Sequence, residues 1–426
     1  MHQTIDRPAA VIVPTLIKRN TALFALSQSF TGAGMQLAYG LGPLMVLALT
    51  GSPALAGLSV ALLGVSRFLV AYPIGKITDT YGRKPGILLG QALALLGAIA
   101  VGVSIDTTSI TLLVCGMLVF GMGMSAAQQM RVAATDMFPP HLRAQALGYI
   151  ALGSVVGMII SPILVDIGET IAPRTGLDPL GIPWLLVPLL IVSGMVLVKF
   201  VRPDPKEIGM HLDRYYPNYA PPTPRVAGQR GAFSSRALLQ QLPIRVAVAC
   251  NCAAQGNMAI MMVLTSLVLH HHGHSLASIA VSHAFHSAGM FAFTIPLGRL
   301  ADHIGRRTVM FAGVAATLPA AGLVAFTEAY WSITFGTFLV GLGWAAANVA
   351  ATALIADHAE TQERGRAIGV NDSFGAAITV LMAVITGPLI EWYGLLAAGL
   401  LAMVVAMMPL PLLPALIAER RAVRRS

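Results

Sequence analysis

Charge is what this sequence has least of. Only 11% of its 426 residues are Asp, Glu, Lys or Arg, against about 25% in an ordinary soluble domain, which excludes a chain that solvates its whole surface. Acids are scarcer than bases, 18 against 27, leaving a net charge of +9. That excess does not mark a nucleic-acid partner, because the basic residues sit at loop ends and no basic patch is interleaved with aromatics. Three cysteines, Cys115, Cys250 and Cys252, none in an expected external loop, exclude a disulfide framework. The opening MHQTIDRPAAVIVPTLIKRN lacks a charged stretch followed by a short apolar core and a cleavage site, so the N-terminus is read as uncleaved and cytoplasmic. No nucleophile–base pair or cofactor motif stands in the apolar runs or loops, so neither an enzyme nor a resident cofactor is expected.

What the chain has in quantity is apolar surface, 56% of its residues. A spanning helix takes about 20 apolar residues, so this content fills about twelve spans. Runs fall near 21–49, 54–76, 85–105, 109–135, 145–167, 183–201, 242–269, 277–299, 308–327, 331–356, 366–390 and 393–418. Between the sixth and seventh, Pro203, Pro205, Pro217, Pro221, Pro222 and Pro224 stand among polar and basic residues, as in a linker. The expected fold is an all-α membrane protein with twelve transmembrane helices in two pseudo-symmetric six-helix halves. Residues 1–201 form the first half, 202–241 a cytoplasmic linker and 242–426 the second half. Lysine and arginine favour the cytoplasmic side; only Arg174 lies in an external loop and only Arg67 well within a span. Both termini and the linker are therefore placed in the cytoplasm, and the turn His270–Ser275 faces outward.

The halves repeat. PIGKITDTYGRKPGILLG at 73–90 matches PLGRLADHIGRRTVMFAG at 296–313 with one constant offset, pairing Asp79 with Asp302 and Arg83 with Arg306. Asp136 and Arg143 to Gly148 recur as Asp357 and Arg364 to Gly369. Duplication on this scale points to a transporter with its site between the halves. The paired loop G-x-x-x-D-x-x-G-R-[KR] resembles the signature of the major facilitator superfamily. That resemblance implies a cytoplasmic latch made by Asp79, Arg83 and Asp136 in the first half and by Asp302, Arg306 and Asp357 in the second. It also carries a departure: Met117 stands where proton-coupled drug exporters have an arginine, and their helix-five glycine–proline run is only partial at Gly153, Gly157 and Pro162.

Ionisable groups inside a membrane are costly and so are candidates for function. Arg67 and Asp372 lie at similar depths in helices two and eleven, which the superfamily resemblance makes neighbours, and are expected to form a buried charge pair. Soft donors concentrate in MAIMMVLTSLVLHHHGHSLASIAVSHAFHSAGM, residues 258–290. Helix seven runs outward to His270 and helix eight returns from Ala277, so equal counts from the turn mean equal depth. Met262 and His286 then share a layer about 12–14 Å below the outer surface, Met258 and Met290 one about 18–20 Å below. Residues four apart share a helix face, so three thioethers and an imidazole would converge across a cavity. Thioethers favour Cu(I), whereas hard cations want carboxylates, which neither helix has. The external His270, His271, His272 and His274 read as a metal-capture antenna, with His283 on the way inward.

The pairing of M-x-x-x-M with H-x-x-x-M resembles the CcoA-type copper importers, a bacterial branch of the superfamily. The resemblance implies copper as transported substrate at Met258, Met262, His286 and Met290, with no other cofactor. It implies import across the bacterial cytoplasmic (inner) membrane to supply cytochrome oxidase assembly, and a cytoplasmic copper chaperone as receiving partner. Two rival readings stand beside it: a carrier of a small organic molecule, such as a riboflavin-like vitamin or an exported drug, and a non-transporting copper sensor on a transporter scaffold.

Overall fold

The computed structural model describes residues 13–139, 142–216, 234–359 and 363–412. The first twelve residues, the linker residues Pro217, Pro221, Pro222 and Pro224, and the end of the twelfth run, 413–418, lie outside the described residues.

Every apolar run folds as helix, and no strand occurs among the described residues. The first half comprises α1 (Thr15–Gly40), α2 (Gly42–Thr50), α3 (Leu58–Tyr81), α4 (Arg83–Asp106), α5 (Ile110–Ala127), α6 (Gln129–Asp136), α7 (Arg143–Thr175) and α8 (Ile182–Phe200). Three short helices follow, α9 (Pro205–Met210), α10 (Leu212–Tyr215) and α11 (Ser235–Gln240). The second half comprises α12 (Leu242–His271), α13 (Leu276–Phe291), α14 (Thr294–Ile304), α15 (Arg306–Phe326), α16 (Tyr330–His358), α17 (Arg364–Tyr393) and α18 (Leu395–Met407). Eleven of these segments, several joined in pairs, are long and apolar enough to cross a bilayer, and the bent pair α1–α2 supplies a twelfth span.

Two runs expected to be single helices are broken. The first bends by 44° between α1 and α2, where Gly40 and Gly42 flank Leu41 and Pro43 brings no N–H to the ladder. The eighth breaks at Ala292–Phe293, because Pro296 has no N–H to return to the Ala292 carbonyl. The stretch 202–241 is not wholly irregular. Asp204 caps α9 through Lys206 N (2.9 Å) and also receives the Arg83 and Lys84 amides at the start of α4, each at 3.0 Å. The start of this stretch is thereby tied to the first half.

Close helix packing is carried by glycine, as in other membrane bundles. A side chain at Gly97 or Gly123 would collide with the facing backbone across the α4–α5 contact, and one at Gly313 or Gly343 would do so across the equivalent α15–α16 contact. Gly82 and Gly305 occupy the same place in the repeat and hold φ of 105° and 97°. That backbone region favours glycine, which explains the glycine before each loop arginine.

The halves meet at one end only. All five hydrogen bonds between them among the described residues lie at the end bearing the His270–Ser275 turn. Gly57 lies against the Ala383 carbonyl and Gly387 against that of Ala54, both at this same end. At the opposite end, where the Asp79 and Asp302 loops lie, no hydrogen bond or ion pair joins the halves among the described residues. The bundle is closed at the histidine end and parted at the loop end, with a cavity of about 860 Å³ beside α1 and α7 lined by Lys18, Ser29, Gln145, Tyr149, Leu152 and Val156.

Candidate functional site

Two of the four soft donors, Met258 and Met262, sit on the most enclosed span among the described residues. The most apolar window of α12 is 83% buried, against 28–56% for the other single spans, so its side chains face protein on every side. Met258, Met262 and Thr265 share one face of α12, being separated by four and three positions. That face meets α16. Thr337 donates its hydroxyl to the Ile333 carbonyl (2.9 Å), so the hydrogen in its 3.1 Å contact with Thr265 comes from Thr265. Lower down, Asn348 of α16 donates to Asn251 of α12 at 3.2 Å. Met258 and Met262 lie between these two rungs.

α16 also meets α13 at the level of Thr337. His286 Nδ1 donates to the Thr337 carbonyl at 2.9 Å, and a side chain at Gly341 would collide with the carbonyl of His286 while also crowding the amide of Met290. His286 therefore sits level with Thr337 and Thr265, and Met290 beside Gly341, while Met262 and Met258 lie about one and two turns along α12 from Thr265. Met262, His286 and Met290 are buried and Met258 partly so.

The chemistry of His286 is set by this contact. A carbonyl can only accept, so the ring proton is on Nδ1 and Nε2 carries the lone pair. Nε2 is buried and has no hydrogen-bond partner. An imidazole that donates one N–H to a backbone carbonyl and presents the other nitrogen bare is oriented as metal-ligating histidines are. No group of three or more His, Cys, Asp or Glu comes together among the described residues, so a metal held here would rely on the methionines for its remaining ligands.

His283 lies toward the closed end. Ser266 donates to the Gly40 carbonyl of the first half (2.8 Å) and receives His283 Nε2–H at 2.9 Å. His283 Nδ1 is then a second buried, unpartnered nitrogen, beneath the seam between the halves. The outer histidines do not form one cluster. His270 and His271 line a cavity of about 360 Å³ at the closed end with Leu47, Pro53 and Ile390, His272 is exposed with its ring 5.6 Å from that of His271, and His274 packs apart from them, its ring 5.2 Å from Tyr330.

Both loop triads are assembled. Arg83 reaches Asp136 at 2.7 Å and Asp79 at 2.9 Å. Arg306 contacts Asp357 and lies 3.6 Å from Asp302. Each triad stays within its own half. Lys206 adds a contact to the Asp79 carbonyl, and Tyr216 donates to the Met137 carbonyl at 3.1 Å; burial raises the Tyr216 hydroxyl above its ordinary value.

The expected buried charge pair does not form: Arg67 and Asp372 make no ion pair within 4.0 Å among the described residues and both are exposed, and Asp372 instead lies 3.4 Å from Asn371 Nδ2. Glu169, Glu391, Ser266 and Thr337 were missed by sequence reasoning, and single polar residues in or beside apolar runs gave no sign of their partners. Cys250 is packed in the apolar core with Ile244, Ala247 and Ala254.

Among known proteins, the MFS-type transporter YdeG of Bacillus subtilis (strain 168) is 28% identical over 93% of this chain and 91% of its own length. YddS of the same organism is 30% identical over 84% and 81%. The riboflavin transporter RfnT of Brucella anthropi is 25% identical over 84% and 85%. In fold, the chain is similar to the nucleoside transporter NupG, with a TM-score of 0.68, 13% identity and coverage of 95% and 98%. A bacterial homologue of the lysosomal transporter Spinster, in an inward-facing conformation, gives 0.64, with 14% identity and coverage of 88% and 82%. The profile of the Major Facilitator Superfamily matches residues 24–237 and 246–425, and this chain of membrane-spanning helices, with its duplicated loop triads, belongs to that superfamily.

Proposed function

We propose that this multi-pass transporter carries copper, as Cu(I), into the cytoplasm of a bacterium by alternating access, with Met258, Met262, His286 and Met290 as the binding set. The observation that carries this reading is the buried, unpartnered Nε2 of His286, fixed by Nδ1–H donation to Thr337. A bare imidazole nitrogen on α13 and thioethers on α12 and α13, with no carboxylate on either helix, suit a soft monovalent metal and disfavour hard cations. The copper-importer resemblance rests on the same four residues.

In this reading the loop end faces the cytoplasm and the membrane is the bacterial inner membrane. His270 and His271 gather metal in the outer cavity, and His283 lies between them and the binding set. Closing the outer seam over His283 and parting the halves at the Asp79 and Asp302 loops gives the inward-facing state, from which a cytoplasmic chaperone takes the metal. The test is a competition titration of purified protein with Cu(I), or with Ag(I) as its redox-inert analogue. Sub-micromolar binding lost in His286→Ala supports the reading; equal binding by the variant removes it.

A second reading has its own support. The similarity to RfnT over most of both chains, together with the cavity of about 860 Å³, favours import or proton-coupled export of an organic molecule of vitamin or drug size. Under it Met258, Met262 and Met290 are apolar packing away from that cavity, which none of them lines, and riboflavin, not Ag(I), is the ligand that stabilises the purified protein.

A further inference from the structure

Side-chain amides gather where three helices of the second half meet. Asn251 of α12 accepts from Asn348 of α16 and donates to the Asn371 carbonyl of α17, each at 3.2 Å. Asn251 and Asn371 are fully buried. Gln255, one turn on from Asn251, lies over the same stretch of α17: a side chain at Gly375 would meet both Asn251 Nδ2 and Gln255 Cγ. Polar groups placed inside a span are unfavourable without partners and so mark function.

Three neighbouring groups have oxygens to spare. Asn371 donates Nδ2–H to the Asp372 carboxylate at 3.4 Å, and its Oδ1 is buried without a partner. Gln255 is half-buried and makes no hydrogen bond among the described residues. Asp372 is exposed, and packing fixes the direction of its face. Side chains at Gly57 and Gly64 of α3 would meet Ala383 and Val380 of α17, and Asp372 lies about three turns before Ala383 on the same face. That face looks at the first half, and Asp372 stands on it toward the loop end, where the halves part. The carboxylate therefore borders the open cleft, while the Asn371 amide beside it reaches into the protein.

Packing alone does not call for these groups, as the internal repeat shows. The offset that carries Pro73 onto Pro296 carries Gln28 onto Asn251 and Gly32 onto Gln255. The offset that carries Arg143 onto Arg364 carries Ile150 onto Asn371 and Ala151 onto Asp372. Gln28 donates to Ser154 of α7 at 3.3 Å, so each half ties these two spans with one amide. The other three positions are small or apolar in the first half and bear oxygens only in the second.

We propose that Asn371, Asp372 and Gln255 bind a hard monovalent cation, an alkali ion, that enters from the cleft at the loop end. Amide and carboxylate oxygens are hard donors, and a single carboxylate balances a single positive charge. Asn251, held through both atoms of its amide, spaces α12 from α17 and is a positioning residue. It lies two turns before Met258 on the same face of α12, so the ion joins α17 to the helix that bears Met258 and Met262. Bare, Asp372 resists burial when the loop end closes; with its charge neutralised by the ion it is buried at lower cost, which couples rocking of the halves to an ion gradient.

The test is thermal unfolding of the full chain in nanodiscs at fixed pH and ionic strength, with sodium or potassium chloride titrated against choline chloride. Sodium or potassium is expected to raise the melting temperature saturably where choline does not, and the ion acting at the lower concentration is the one selected. The half-saturating concentration should rise at least about 10-fold in D372N, N371A and Q255A, as when a metal site is impaired. Should N371A not fold, D372N and Q255A, whose side chains reach solvent, still decide. Neither copper nor silver enters the test, so its outcome is independent of the copper reading. Equal melting in all three salts, or an unshifted half-saturation in D372N or Q255A, overturns the proposal.

Discussion

Glu169 and Glu391 stand at equivalent places in the two halves, and each grips the start of the other half's second span. Glu169 of α7 accepts the Leu276 amide at 2.7 Å and the Ala277 amide at 3.1 Å at the N-terminus of α13. Glu391 of α17 accepts the Ala54 amide at 2.9 Å and the Ser52 hydroxyl in the turn before α3. Ala54 and Ala277 are related by the same offset as the loop motifs. The closed end is thus held by two symmetric carboxylate clasps, each placing negative charge where unpaired amides point outward.

Replacing either glutamate by glutamine keeps the shape and removes the charge. Each change should shift the population about 2- to 5-fold toward the state open at the histidine end, by the usual worth of a charge at a helix start. The double variant should multiply the two shifts, since the clasps share no partner. Thiol labelling of a cysteine introduced at Leu267, which lines the outer cavity, reads this as faster modification. Unchanged labelling in the double variant would show that the clasps do not hold the seam.

The loop glycines make a stability prediction. Gly82→Ala or Gly305→Ala forces a side chain into positive-φ backbone, which costs about 1–3 kcal/mol. Loss of thermal stability should accompany either change, larger for Gly82, where a Cβ would also press on the Asp204 carboxylate. The same melting point in both variants would contradict the turn geometry.

Cys250→Ala should leave metal uptake within about 2-fold of wild type, because Cys250 fills core volume among Ile244, Ala247 and Ala254. Uptake reduced by an order of magnitude, with normal expression, would instead make the thiol a relay between the binding set and the cytoplasm.

Much of the architecture could be read from the sequence because bilayer-spanning helices are specified by local apolar length. The repeated loops were visible as paired motifs, and their triads form as expected because Asp79 and Arg83 are one helical turn apart across a glycine turn. The helices on which the depth count runs are uninterrupted over the counted stretch, since α13 breaks only after Phe291. Helix rotation and long-range partners were not legible. The proton position on His286 depends on Thr337, 51 residues away, and Ser266 finds its acceptor on Gly40 in the other half.

The central claim is that His286 and the three methionines carry Cu(I) through the membrane. Its most direct test is copper accumulation in sealed vesicles reconstituted with wild-type protein, His286→Ala and Met262→Ala, supplied with Cu(I) under reducing conditions. The account predicts time-dependent accumulation by the wild type, reduced at least about 10-fold in both variants, as expected when a metal ligand is lost. Equal accumulation by all three, or binding by the wild type with no accumulation inside the vesicles, would contradict it.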